Sequence, residues 1–150
     1  MKTTTLLATA VTLAALAWPS LAPAADTGTA AEAKAMLERA VAAVKTDETA
    51  ALEKFKSGAP GFKDRDLYVF CFDAGTGLFT AHPTLAGKDV KTLKDKTGKV
   101  FGDRLFAAAQ KDSISTVDYM WPKPGETEPV QKETYVTKAG DQGCAVGYYK

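Results

Sequence analysis

The sequence predicts an α+β domain, a long N-terminal helix packed on one antiparallel sheet of five strands. Three observations carry that prediction. Apolar residues recur at helical spacing from Ala33 to Val44, Leu67 to Phe72 is apolar on both alternating faces, and the last third of the chain alternates in short segments separated by turns. Strands at both ends of a small α+β domain share one sheet, and a helix with an apolar stripe must bury it against that sheet.

The first 24 residues read as a secretory signal peptide. Met1-Lys2 is a short basic start, Leu6 to Ala17 an apolar run, Trp18-Pro19-Ser20 a break, and Ala22-Pro23-Ala24 a small-residue cleavage site. The run of about 12 residues falls short of the roughly 20 that span a bilayer, which argues against an uncleaved anchor. The mature chain is then Ala25 to Lys150, a single domain in the periplasm or outside the cell.

Thr29 and Glu32 form a capping box, each side chain satisfying an orphan backbone N–H. Ala33, Met36, Leu37, Ala40, Val41 and Val44 then mark the buried face of the first helix. Thr46, followed by Asp47 and Glu48, reads as a fresh N-cap with acids where the helix dipole favours them. The second helical piece turns Leu52 and Phe55 inward and ends near Gly58 and Pro60. Leu67 to Phe72 reads as a central strand covered on both faces. Asp73 to Gly77 is a turn and Leu78 to Ala81 a short return strand. A helix is expected from Thr97 or Gly98 to Gln110, with Phe101, Leu105, Phe106 and Ala109 on one side. Ile114 to Trp121, Val130 to Thr137 and Gly143 to Tyr149 are the last strands. Pro122 to Pro129 and Ala139 to Gly143 connect them.

Composition excludes some functions. The chain carries a net charge of +1, and removal of residues 1–24 takes away only Lys2, leaving 18 basic against 18 acidic side chains. With no basic excess, nucleic-acid binding has no electrostatic support. No second apolar run of membrane-spanning length follows the first.

The one histidine, His82, and Cys71 raise the question of a Cys–His nucleophile pair, which needs both groups within hydrogen-bond reach. If Asp73 pairs with Gly77, then Cys71 pairs with Phe79 and Tyr68 with His82, and alternation puts Cys71 and His82 on opposite faces. The expectation for Cys71 is a disulfide with Cys144, which export allows; buried free thiols and a thiolate nucleophile are the alternatives. No metal site is expected: beyond His82 there remain only scattered carboxylates, among them Asp64, Asp66, Asp89, Asp95 and Asp103, without calcium-loop spacing. No phosphate-binding glycine loop is present and Gly75-Thr76-Gly77 is a turn signal. Neither an enzyme nor a bound cofactor is expected.

In order along the chain stand DRDLYVFCFDAGTGLFTAHPTLAGKD, KDKTGKVFGDRL, VDYMWPKPG, KETYV and CAVGYY. This series resembles a single Cache domain of the second type, the extracytoplasmic sensor domain of many bacterial chemoreceptors and histidine kinases. The resemblance runs from about Ala31 to Tyr149 and rests on the combination of AHP, GKD, D-x-x-G, Y-x-W-P-K-P and a terminal GYY. It implies a PAS-like fold in which one sheet face meets the long helix and the other encloses a small pocket. It also makes the first and last strands neighbours, with Cys71 near Cys144. It further implies a small organic ligand, often a short carboxylate, and dimerisation through the long helix. Family members usually continue into a transmembrane helix and a signalling domain. This chain stops at Lys150 and resembles the stand-alone exported forms, so signalling through a separate membrane receptor or kinase is expected. A ligand-free protein using the same fold as a partner-binding scaffold is the alternative.

A carboxylate pocket needs a few aimed donors in an apolar, aromatic wall. His82 can donate a hydrogen bond or serve as a turn residue bonded to backbone, and as a ligand group its charge would respond to an acidifying periplasm. Lys123 stands between two prolines that can aim its ammonium. Tyr119 and Trp121 alternate onto one strand face, opposite Asp118, and each brings a ring and a polar handle. Tyr68, with Phe70, shares the face of His82, Tyr135 brings a hydroxyl on the next strand, and Arg104 can clamp a carboxylate.

Overall fold

The computed structural model describes residues 26–150; the proposed signal peptide lies outside the described residues. Helix α1 spans Ala30–Thr46 and opens on the expected capping box: Thr29 Oγ1 accepts from the Glu32 N–H at 3.2 Å, and Glu32 Oε2 accepts from the Thr29 N–H at 2.7 Å. The ion pair with Arg65 reinforces the box, and together these bonds hold the Glu32 carboxyl at about 2. Helix α2 spans Glu48–Ser57, and its cap is Asp47, whose Oδ1 accepts from the Ala50 N–H at 2.9 Å. Thr46, the expected cap, instead bonds back to the Ala42 carbonyl within α1. Gly58, at φ 64°, closes α2 in the left-handed conformation that glycine adopts without steric cost.

Six strands follow: β1 Lys63–Asp64, β2 Leu67–Asp73, β3 Phe79–Ala81, β4 Ser115–Pro122, β5 Pro129–Ala139 and β6 Gln142–Tyr149. All pairings between them are antiparallel. The order across the sheet is β4-β5-β6-β2, with β1 and β3 both on the outer edge of β2. The sixth strand, β1, is the two-residue arm of a tight turn and carries no periodicity to read. β5 and β6 run to a two-residue turn at Gly140-Asp141, so the connection is shorter than the sequence suggested. The β2–β3 register also differs from expectation. Cys71 opposes Ala81 and Phe72 opposes Phe79, with an irregularity between Cys71 and Phe72 that absorbs one residue.

The expected helix over 97–110 is shorter, with α3 spanning Gly102–Ala108 and a 3-10 turn at Val90–Thr92 ahead of it. Local polar chemistry decides this. Asp95 Oδ1 accepts from the backbone N–H groups of Thr97 at 2.9 Å and Lys99 at 3.0 Å, folding the D-x-x-G segment into a turn that competes with helix. Gly102 then packs so closely on the Val90 carbonyl that an added Cβ would lie 1.7 Å from its oxygen.

The sheet has two buried faces. α1 and α2 cover one, burying Leu37, Ala40, Phe55, Leu67, Val69 and Val146. The 82–101 segment and α3 cover the other, over Phe70, Phe72, Phe79, Val117, Tyr119 and Ala145. At the centre Cys71 and Cys144 oppose each other on β2 and β6 and form a disulfide, both fully buried on the α1 side. The thiolate alternative is thereby removed, and no free cysteine remains among the described residues.

Candidate ligand-binding site

The face away from α1 holds a small, partly open cavity. Tyr68 and Phe70 of β2, Phe79 of β3, His82, Phe101 and the β4 residues Tyr119 and Trp121 line it, with Leu85 and Leu93 of the covering segment and Leu105 of α3 completing the wall. Strand alternation places them: Tyr68, Phe70, Tyr119 and Trp121 are all on the pocket face of their strands. The aromatic rings support one another. Phe101 stacks on Tyr119 at 3.9 Å between centroids and meets Trp121 edge-on at 5.8 Å. The space open to a water-sized sphere is only about 10 Å³, about one water.

His82 is ringed by Phe79, Phe70 and Tyr68 at 5.0, 5.6 and 5.7 Å. Its Nδ1 accepts from the backbone N–H groups of Thr84 and Leu85, both at 3.1 Å. The proton of the neutral ring therefore resides on Nε2, which is left as a donor. Burial, with a smaller contribution from the charge of Lys132, pushes the imidazole down to about 4. The expected titration of His82 near neutral pH is corrected on that ground.

Lys132 is the residue that the sequence reading missed. It sits on β5 opposite both Tyr119 of β4 and Tyr149 of β6, and is 1 % exposed. Its Nζ donates to Tyr68 Oη at 3.2 Å and lies 4.6 and 4.9 Å from the ring centroids of Tyr68 and Tyr149. No carboxylate pairs with it among the described residues. Burial brings the ammonium down to about 7, and Asp66 opposes that fall. Gly147 makes the lysine's path possible, because a Cβ there would lie 2.4 Å from Lys132 Cε. Since Tyr68 Oη accepts from Lys132, its own hydrogen remains available to a second acceptor.

Four predicted site residues, Tyr68, His82, Tyr119 and Trp121, come together at the cavity. Three do not. Lys123 lies over the ring of Tyr149 at 5.9 Å and lines an outer cleft with Arg65, Asp66 and Glu126. Arg104 is exposed and donates to the Asp118 carbonyl at 2.8 Å. Tyr135 lies on the α1 face of the sheet, stacked with Tyr148 at 5.9 Å. Alternation puts Tyr135 on the side opposite Lys132 and Thr134. The signal for Lys132 was present in the same phase, since it falls in step with Thr134 and Val136 and opposite Tyr119 across the hairpin.

The model of the family described as single Cache domain 2 matches residues 21–148, and the chain belongs to that family. A stretch of 86 residues is 31 % identical to the methyl-accepting chemotaxis protein McpP of Pseudomonas putida. The match covers 56 % of this chain and 16 % of that receptor, so the chain spans about one-sixth of the receptor's length. A crystal structure of a methyl-accepting chemotaxis protein from Vibrio parahaemolyticus superimposes with a TM-score of 0.63 at 28 % identity, covering 79 % of this chain and 86 % of that one. A periplasmic sensor domain of a chemotaxis protein gives 0.58 at 28 % identity, over 76 % and 85 %. A Cache chemosensory domain described by its recognition of carboxylic acids gives 0.56 at 25 % identity, over 76 % and 83 %.

Proposed function

We propose that this protein is a periplasmic sensor module that binds a small carboxylate and acts through a separate membrane partner, without catalysis. The observation that carries the reading is Lys132, a buried ammonium with aromatic neighbours and no carboxylate of its own. A carboxylate ligand supplies the missing counter-charge, and the Tyr68 hydroxyl and the His82 Nε2–H add neutral donors. The aromatic wall suits a ligand of few carbons. Because the cavity measures about 10 Å³, binding requires the covering segment to move. That segment, residues 82–101, is 20 residues long with a single 3-10 turn, a length uncommon in compact domains outside functional loops. Cleavage after Ala24 delivers the domain across the membrane in this reading, and no helix among the described residues is long and apolar enough to cross one. Pairing through α1 is the dimer mode that goes with it.

Thermal unfolding with a panel of short organic acids, amino acids, amines and purines tests the reading. A ligand at roughly 100 times its dissociation constant stabilises by about 2.7 kcal/mol, raising the melting temperature by roughly 6–12 °C. Acids that stabilise the wild type and not Lys132→Met support it. The small cavity favours a second reading, a ligand-free scaffold that binds a partner through its surface. No response across the panel, together with a stable complex recovered from periplasm without metabolite, would establish that alternative.

A further inference from the structure

A buried ammonium ordinarily lies against a carboxylate, since burial of an unpaired charge is costly. Around Lys132 stand Tyr68 of β2, Tyr119 of β4, Tyr149 of β6, His82 after β3, and Asp66 in the turn before β2. Beyond Tyr149 lie Lys123 and Glu126 of the β4–β5 loop. Asp66 is itself 7 % exposed. Its Oδ1 accepts from the Gly28 N–H at 2.6 Å, and its Oδ2 has no hydrogen-bond partner. Lys132 and Asp66 are thus both buried, form no ion pair with each other, and each keeps unused hydrogen-bonding capacity.

The geometry points to a proton-linked site, in which Lys132 takes up a proton as the carboxylate binds and Asp66 sets the pH at which it does so. The inference rests on the carboxylate reading above. In the empty protein near neutral pH part of the population holds Lys132 as the neutral amine, because burial lowers its proton affinity while Asp66 opposes the fall. The ligand enters as a carboxylate, one proton from solvent joins the Lys132 nitrogen, and the resulting ammonium–carboxylate pair adds no net charge to the interior. The other neighbours do not supply this switch. His82 stays neutral down to about 4, and burial pushes Tyr68, Tyr119 and Tyr149 up, so their hydroxyls stay protonated. The output then reports acid concentration and pH together, and is strongest in mildly acidic medium.

Calorimetric titration with acetate and with propionate from pH 6 to 9, in two buffers of different ionisation heat, reads the proton directly. At pH 8 close to one proton should be taken up per ligand, and affinity should fall roughly tenfold between pH 8 and pH 9. Asp66→Asn keeps the acceptor oxygen for Gly28 and removes the charge. It should lower affinity several-fold at pH 7, largely preserve it at pH 6, and so move the profile to lower pH. A readout free of ligand is the ¹³Cε resonance of Lys132, assigned by its loss in Lys132→Met. It should titrate near neutral pH in the wild type and lower in Asp66→Asn. Binding without proton uptake, or a Lys132 resonance that titrates near 10 with the surface lysines, overturns the linkage and leaves the carboxylate reading standing. No binding of either acid at any pH sinks the carboxylate reading and the linkage with it.

Discussion

Phe70 and Cys71 are neighbours on β2 and face opposite sides of the sheet. Cys71 enters a layer of aliphatic residues from α1, α2, β2 and β6, where it is locked to Cys144. Phe70 enters a layer of rings that encloses Tyr68, His82 and, behind Tyr68, the unpaired ammonium of Lys132. The first layer is apolar, interdigitated and covalently closed. The second keeps a small void and an unpaired charge that the fold would be more stable without. A face built only for stability has no need of a lone buried lysine. The cost concentrated on one face is what the proposed carboxylate site rests on, while the α1 face holds the strands that position it.

The contrast breaks most visibly at the disulfide. Replacing Cys71 and Cys144 together with alanine opens a loop closed across 73 residues, and the chain-entropy model puts the loss at about 4 kcal/mol. The expected result is a melting temperature lower by more than about 10 °C, with ligand affinity below the new transition changed little. A large loss of affinity in the folded variant would show that the two faces are not independent.

Lys132→Met should act in the opposite direction. The unfolded chain holds the lysine proton to about 10.5 and the folded protein releases it near 7, so the unfolded state binds more protons in that window and stability rises with pH across it. At pH 6 the folded protein carries the full cost of the buried charge. The methionine variant should then be more stable by about 2–4 kcal/mol in denaturant titrations, with carboxylate binding abolished. A destabilised variant that still binds would remove Lys132 from the site.

His82 gives a smaller, pH-resolved effect. Its unfolded value of 6.5 lies above its folded value of about 4, so the unfolded state binds more protons between the two and stability falls as pH drops from 6.5 to 4. The loss should reach about 1–3 kcal/mol, read from unfolding at pH 6.5 and 4.5. His82→Leu should flatten that slope, whereas substitutions on the α1 face should leave it unchanged.

The smallest effect belongs to the α1 end. Thr29→Ala removes one half of the capping box and should cost roughly 1 kcal/mol, a shift of a few degrees. Ligand affinity should be unaltered, and a change greater than about twofold would show that the helix end communicates with the pocket.

Much of this was legible from residue types in order. The capping box at Thr29, the helical stripe through Leu37 and the two-sided strand at Leu67 are local patterns, because helix and strand impose periods of 3.6 and 2 on the chain itself. The opposite facing of Cys71 and His82 was legible too, although the assumed register was wrong. At Cys71 the partner is Ala81, two residues from the assumed Phe79, and an even displacement leaves cysteine and histidine on their expected sides. Alternation put Tyr119 and Trp121 on one strand face and Tyr68 on that of His82, and the family resemblance supplied the pocket.

What the sequence alone did not determine is which charge is buried. Lys123 between its prolines looked aimed and Lys132 looked like one more strand lysine. The choice falls to Lys132 because β5 lies between β4 and β6, so its inward side chain is covered by Tyr119 and Tyr149 from both sides, while Gly147 leaves room for its stem. Lys123 lies past the end of β4, where the covering strands stop. Burial of a charge is a property of what neighbouring strands place over it, and only the assembled sheet contains that information.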